Sequence, residues 1–317
     1  MRRFLTLILM SVFVLALAAC GGTNEGEATE NESEEEPEET EEVVVEHELG
    51  ETTVEKNPEN VVVFDFGSLD TLDKLDIDVT AVPKQNIPEY INQYDTEEYE
   101  NVGSLKEPDF EKLAEIDPEL IIISGRQADL YDQLTELAPT IYLGVDETDY
   151  MNSFENNVGI IGEIFNKEEE AQTELDAIEE QVDATAEKAE EADKSGLIVL
   201  ANDDKISAYG PSSRFGLIHD VFGVKPVDED IEASTHGMNV SFEYVTEQDP
   251  DLLYVIDRGA AIGEESAAEI VVENKLMEKT KAYKEDNIIY LDPEYWYLSG
   301  GGLQSVSKMV EEVDESL

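Results

Sequence analysis

The hydrophobic positions of this chain fall into short apolar runs separated by segments of helical period. Residues 61–64, 140–143, 197–201 and 288–291 are such runs, the pattern of strands buried on both faces. The first leads through Gly67 into a helix predicted over 69–75. Strands alternating with helices predict an α/β fold built on mostly parallel sheets. Residues 44–54 alternate weakly about a glycine and predict a hairpin before the first strand. Residues 168–193 lack Gly and Pro, are rich in Glu, Ala, Gln and Lys, and carry Leu175, Ile178 and Val182 at helical spacing. One long helix is expected there, roughly 40 Å long at ~1.5 Å per residue.

An internal repeat relates the two sides of that helix. FEKLAEIDPELIIISGR at 110–126 and FEYVTEQDPDLLYVIDR at 242–258 match at seven of seventeen positions with a constant offset of 132 residues. Each copy reads as a short amphipathic helix, an Asp-Pro break and a buried strand that ends at an arginine. The expected fold is therefore two Rossmann-like lobes joined by one rigid helix. Its predicted limits are 43–167 for the N-terminal lobe, 168–194 for the inter-lobe helix and 195–317 for the C-terminal lobe. About 275 residues are also more than one small core usually holds.

The N-terminus carries Met1-Arg2-Arg3, an apolar stretch over 4–17 and then Leu17-Ala18-Ala19-Cys20. That is the layout of a secretory signal over 1–19, and at roughly 14 residues it is shorter than the ~20 of a spanning helix. Leu-Ala-Ala-Cys resembles a bacterial lipobox, so Cys20, the only cysteine, is expected to be lipidated and to anchor the chain on the outer face of the cell membrane. Residues 20–42 are acidic and aperiodic and read as a disordered tether.

The net charge of −57 disfavours nucleic acid, whose phosphates need basic patches, and otherwise favours solubility. Against that background arginine is scarce. Apart from Arg2 and Arg3 in the signal, the chain has only Arg126, Arg214 and Arg258. Two end the repeated strands, and Arg214 sits in the Gly/Ser-rich loop 209–216, the places where α/β folds bind ligands. Arg126 and Arg258 are expected to face each other across the cleft, with Arg214 joining from the second lobe. Arginine is always charged, donates in a planar fork and sheds water readily, which suits an anion in a partly desolvated cleft. The other reading ties each arginine to a local carboxylate such as Asp129 or Asp257. His236 and the run Tyr295-Trp296-Tyr297 add groups that bind iron(III) or form a packing wall.

Val102-Gly-Ser-Leu-Lys-Glu-Pro-Asp-Phe-Glu111, Ser124-Gly-Arg-Gln127, Ser213-Arg-Phe-Gly216, Ser234-Thr-His-Gly237 and Leu291-Asp-Pro-Glu-Tyr-Trp-Tyr-Leu-Ser-Gly300 make the chain resemble the catecholate-siderophore-binding lipoproteins of iron ABC importers, in particular their petrobactin-binding branch. The likeness runs from about residue 43 to the C-terminus. It implies the class III periplasmic-binding-protein fold and a ferric catecholate siderophore as cargo, with no permanent cofactor and with an ABC permease as partner. It implies that Arg126, Arg214 and Arg258 neutralise that anion, with Trp296 and Tyr297 lining the site. It further implies that His236 and Tyr297 fill iron positions left open by a tetradentate siderophore. Glu111 and Glu243, also 132 residues apart, correspond to the glutamates by which such proteins dock on the permease. They are equally ordinary acidic residues in a helix's first turn.

An enzyme is the rival from another class, but the chain has neither a phosphate-binding G-x-x-x-x-G-K-[ST] loop nor an H-E-x-x-H zinc motif. A free divalent-metal carrier is disfavoured with three histidines and no mature cysteine ligand. Haem and cobalamin stay open as alternative cargo. The expectation is a monomeric binding protein without catalysis.

Overall fold

The computed structural model describes residues 41–317 apart from 267 and 273. The expected signal segment, Cys20 and the tether as far as residue 40 lie outside the described residues. β1 (Glu42–His47) and β2 (Gly50–Glu55) form the expected antiparallel hairpin, with His47 opposite Gly50. Glu42, counted with the tether from sequence, is already its first residue.

The first lobe contains β3 (Val61–Val63), α1 (Phe66–Lys74), β4 (Ala81–Val82), β5 (Glu100–Asn101), α2 (Phe110–Ile116), β6 (Leu120–Ile123), α3 (Tyr131–Leu134) and β7 (Thr140–Tyr142). Its strands are all parallel in the order β5-β4-β3-β6-β7. Then come α4 (Tyr150–Ile164) and α5 (Glu168–Ala192). The second lobe holds β8 (Ser195–Asn202), β9 (Lys205–Tyr209), α6 (Leu217–Asp220), β10 (Lys225–Pro226), β11 (Met238–Val240), α7 (Phe242–Gln248) and β12 (Leu252–Asp257). It continues with α8 (Arg258–Ala261), α9 (Ala268–Val272), α10 (Lys281–Lys284), β13 (Ile288–Leu291) and α11 (Leu303–Ser316). Its sheet runs β11-β9-β8-β12-β13 with β10 beside β8. β8, β12 and β13 are parallel, and β9 and β11 are antiparallel to their neighbours.

Both copies of the sequence repeat fold alike. α2 and α7 are N-capped by the side chains of Asp109 and Ser241, and each ends on an aspartate in the left-handed region, Asp117 (φ 54°) and Asp249 (φ 47°). Asp tolerates that conformation, and the proline that follows cannot continue the helix. The chain is thereby turned into β6 and β12, whose residues alternate between two layers. Leu120 and Ile122, with Leu252, Tyr254 and Ile256, face a core shared by both lobes. Ile121 and Ile123 face one outer layer, and Leu253 and Val255 face the other.

The long helix appears where its composition placed it. α5 buries Ala171, Leu175, Ile178, Val182 and Ala189 in the shared core, and it packs against α4 and α11. Three glutamates in its first turn suit the positive end of the helix dipole.

An arginine-lined cleft as the candidate functional site

In each sheet the chain reverses its direction of strand addition once, between β3 and β6 in the first lobe and between β8 and β12 in the second. Ligands of open α/β sheets bind outside the carboxyl ends of strands at such reversal points. The segment after β3 supplies Asp65, and that after β6 supplies Ser124, Gly125 and Arg126. In the second lobe β8 ends at Asn202 and β12 runs into Arg258, whose Nη1 donates to Asn202 Oδ1 at 2.9 Å. The matched arginines therefore stand at matched topological positions.

Between the lobes lies a cleft of about 730 Å³ whose lining includes Arg126, Arg214, His236, Trp296 and Tyr297. The arginines gather on one residue. Arg126 Nη2 and Arg214 Nη2 both donate to the Tyr297 carbonyl, at 2.6 and 2.8 Å, and Arg258 Nε donates to the Tyr297 hydroxyl at 3.2 Å. The Arg214 guanidinium also lies 4.3 Å from the Tyr297 ring centroid, a cation–π contact worth about 0.5–2 kcal/mol. The arrangement differs from the expected one. Arg126 and Arg214 are the pair whose charges meet across the cleft, while Arg258 is not among the lining residues and joins through Tyr297. Its carboxylate neighbour is Glu264, at 4.0 Å, and Asp257 instead caps α8.

The Tyr297 carbonyl reaches two guanidiniums because it belongs to a π-helical turn, Glu294–Ser299. Such turns leave main-chain groups free of the regular ladder and recur at functional sites. Glu312 of α11 fixes this one, accepting from Asp292 N at 3.0 Å and from the Trp296 indole Nε1 at 2.6 Å. Trp296 is only 3% exposed. It lines the cleft, but its ring belongs to the core and its N–H is taken by Glu312, so its main structural role is to bolt the turn to α11.

Burial, and then the neighbouring Arg214, hold the Arg126 guanidinium below its ordinary pKa. Burial pushes the Tyr297 phenol up, but the charges of Arg214 and Arg258 and their hydrogen bonds outweigh it and leave the phenol below its usual value. The cleft thus gathers guanidiniums that repel one another, an environment suited to an anion, and the same charges ease ionisation of the Tyr297 phenol.

His236 is exposed in the loop before β11, where Gly237 takes φ 70°. Thr235 beside it donates to Glu147 of the first lobe at 3.0 Å, spanning the cleft. Among the described residues no group of three or more His, Cys, Asp or Glu is placed to hold a metal. Glu111 and Glu243 lie exposed in the first turns of α2 and α7, and neither forms an ion pair among the described residues.

Several lining residues escaped the sequence reading, notably Lys106, Asp65, Tyr142 and Glu147. Lys106 lies within the Val102–Glu111 motif, but as one of fifteen lysines spread along the chain it carries no signal of its own. Asp65 and Glu147 carry no signal among 77 acidic residues.

The family model described as periplasmic binding protein matches residues 61–295. The petrobactin-binding protein YclQ of Bacillus subtilis is 49% identical over all of this chain and 99% of its own length. Its crystal structure superposes with a TM-score of 0.86, at 53% identity, over 87% of this chain and 98% of that one. The ferric-anguibactin-binding protein FatB of Vibrio anguillarum is 32% identical over 86% of each chain. The periplasmic catecholate-siderophore binding protein VctP of Vibrio cholerae gives a TM-score of 0.83, at 31% identity, over 87% of this chain and 100% of that one. With its two lobes, its single joining helix and these likenesses over nearly its whole length, the chain belongs to the periplasmic binding protein family.

Proposed function

We propose that this protein captures an anionic ferric siderophore of the catecholate class, petrobactin or a close analogue, in the inter-lobe cleft and delivers it to an ABC permease. The observation that carries this reading is the convergence of Arg126 and Arg214 on the Tyr297 carbonyl, with Arg258 on the hydroxyl of the same residue. A guanidinium held by a neutral carbonyl keeps its full charge, so two cations with donors to spare wait in a partly desolvated cleft for a multiply charged anion. The names of YclQ and VctP, which include petrobactin and catecholate siderophores, point to the same cargo. Titration with ferric petrobactin, followed by Trp296 fluorescence, tests the class. Saturable quenching is expected, whereas quenching by haem, cobalamin or a ferric hydroxamate alone would replace this cargo with another.

For a tetradentate ferric catecholate, His236 and Tyr297 are the protein groups that would complete the iron shell. Tyr297→Phe should abolish any phenolate-to-iron absorption band and His236→Ala should shift it. An unchanged spectrum and affinity in both variants removes the two residues from the shell.

Glu111 and Glu243 would present one carboxylate from each lobe to permease arginines. The Glu111→Arg/Glu243→Arg pair should retain siderophore affinity while uptake in cells falls at least tenfold, because a buried contact between like charges costs several kcal/mol. Normal uptake sinks the docking role. Lipidation of Cys20 would tether the protein to the outer face of the membrane, so Cys20→Ser should appear in the culture medium. Continued membrane retention contradicts the anchor.

A further inference from the structure

We infer that Asp70 is a positioning residue for this cleft: a carboxylate of the first lobe that caps the C-terminal helix α11 and thereby fixes the Tyr297 turn beneath Arg126 and Arg214. Gly302, the residue at the N-cap position of α11, has no side chain to accept the first free N–H groups that every helix leaves exposed. Those donors are satisfied by α1 instead. Gln304 N and Ser305 N donate to the two oxygens of Asp70 at 3.1 and 2.9 Å, and Leu303 N donates to Thr71 Oγ1 at 3.2 Å. Asp70 is fully buried, and the Tyr90 hydroxyl donates to it at 3.0 Å.

The cap therefore comes from more than 230 residues away in sequence and joins the two ends of the folded chain. Two glycines permit the approach. A Cβ at Gly302 would fall on the Asp70 carboxylate, and one at Gly67 would lie 2.6 Å from the Ser299 carbonyl oxygen. Tyr297 precedes Leu303 by six residues, and Ser305 Oγ donates back to Ser299 O at 3.1 Å at the end of the π turn. Whatever holds the first turn of α11 thus also holds the carbonyl on which the arginines of the two lobes meet. Burial pushes the Asp70 carboxyl up to about 7, against the opposing pull of its Ser305, Gln304 and Tyr90 donors. Its capping form is the carboxylate, which prevails above that value.

The affinity arm of the test rests on the siderophore reading; the other arms do not. Wild type and Asp70→Asn are compared at pH 8.5 and 25 °C by amide hydrogen exchange, by the NMR signals of the Arg126 and Arg214 guanidiniums, and by titration with ferric petrobactin. The amides of Gln304 and Ser305 should exchange about tenfold faster, the guanidinium signals should move, and affinity should fall about tenfold, the worth of one cap. Wild-type exchange rates, or faster exchange with unmoved guanidinium signals, overturn the inference. Failure of the wild-type protein to bind the ferric complex refutes the siderophore reading alone, because exchange and guanidinium signals still decide the role of Asp70. Should Asp70→Asn not fold, Tyr90→Phe removes one donor to the carboxylate. It should produce the same three changes at about two- to threefold, and their absence overturns the inference equally.

Discussion

Arg126→Gln should weaken binding of the ferric siderophore by about 100-fold or more while leaving the ligand-free protein as stable as wild type, or more so. The loss follows from removing one fork of charge-assisted donors from a desolvated anion site, where truncating one partner costs about 2–5 kcal/mol and each 1.4 kcal/mol is tenfold. The stability side follows from the electrostatics around Arg126. Burial and Arg214 both disfavour the Arg126 charge there, and the Tyr297 carbonyl keeps its hydrogen bond from Arg214 when Arg126 is gone. A mutation that lowers affinity and raises the melting temperature is the signature of a strained, preorganised site. Titration and thermal unfolding of the same preparation check it. A fall in both would mean that Arg126 is a structural tie rather than a ligand grip.

Gly302→Ala should be the most damaging small substitution in the described structure, lowering stability by about 3–5 kcal/mol, or ~10 °C in melting temperature for a chain of this size. The added methyl would meet the Asp70 carboxylate and the Gly67 carbonyl oxygen, both fixed and one of them fully buried. Neither can step aside without uncapping α11. Gly159→Ala, where a Cβ meets nothing within 4 Å on α4, is the control, and it should be neutral or slightly stabilising because Ala is the better helix former. Calorimetry of the two variants side by side decides it. Equal melting temperatures would show that the junction between α1 and α11 is pliable.

Much of the architecture could be read from the chain because its determinants are local. The Asp-Pro breaks at 117–118 and 249–250 and the apolar runs after them mark α2, β6, α7 and β12; β12 runs up to Arg258 as expected, whereas β6 stops at Ile123, three residues short of Arg126. The constant offset of the repeat placed Arg126 and Arg258 at equivalent strand ends. What the chain concealed is tertiary. The feature that gathers the arginines is a main-chain carbonyl, which carries no residue label, and it is presented by a π turn that no periodicity announces. Asp70 is one acidic residue among many, distinguished only by the helix end that reaches it from the far terminus. The aromatic run at 295–297 reads equally as lining of the site or as a packing wall, and what ties Trp296 to the core, the acceptance of its N–H by Glu312 sixteen residues on, is a tertiary contact.

The central claim is that Arg126 and Arg214 form the anion site and exchange the Tyr297 carbonyl for cargo, in whole or in part. A crystal structure of the protein with ferric petrobactin tests it most directly. Guanidinium nitrogens of both arginines within hydrogen-bonding distance of the siderophore's iron-bound oxygens is the predicted result; a complex seated elsewhere, with both arginines still turned wholly to Tyr297, would contradict it.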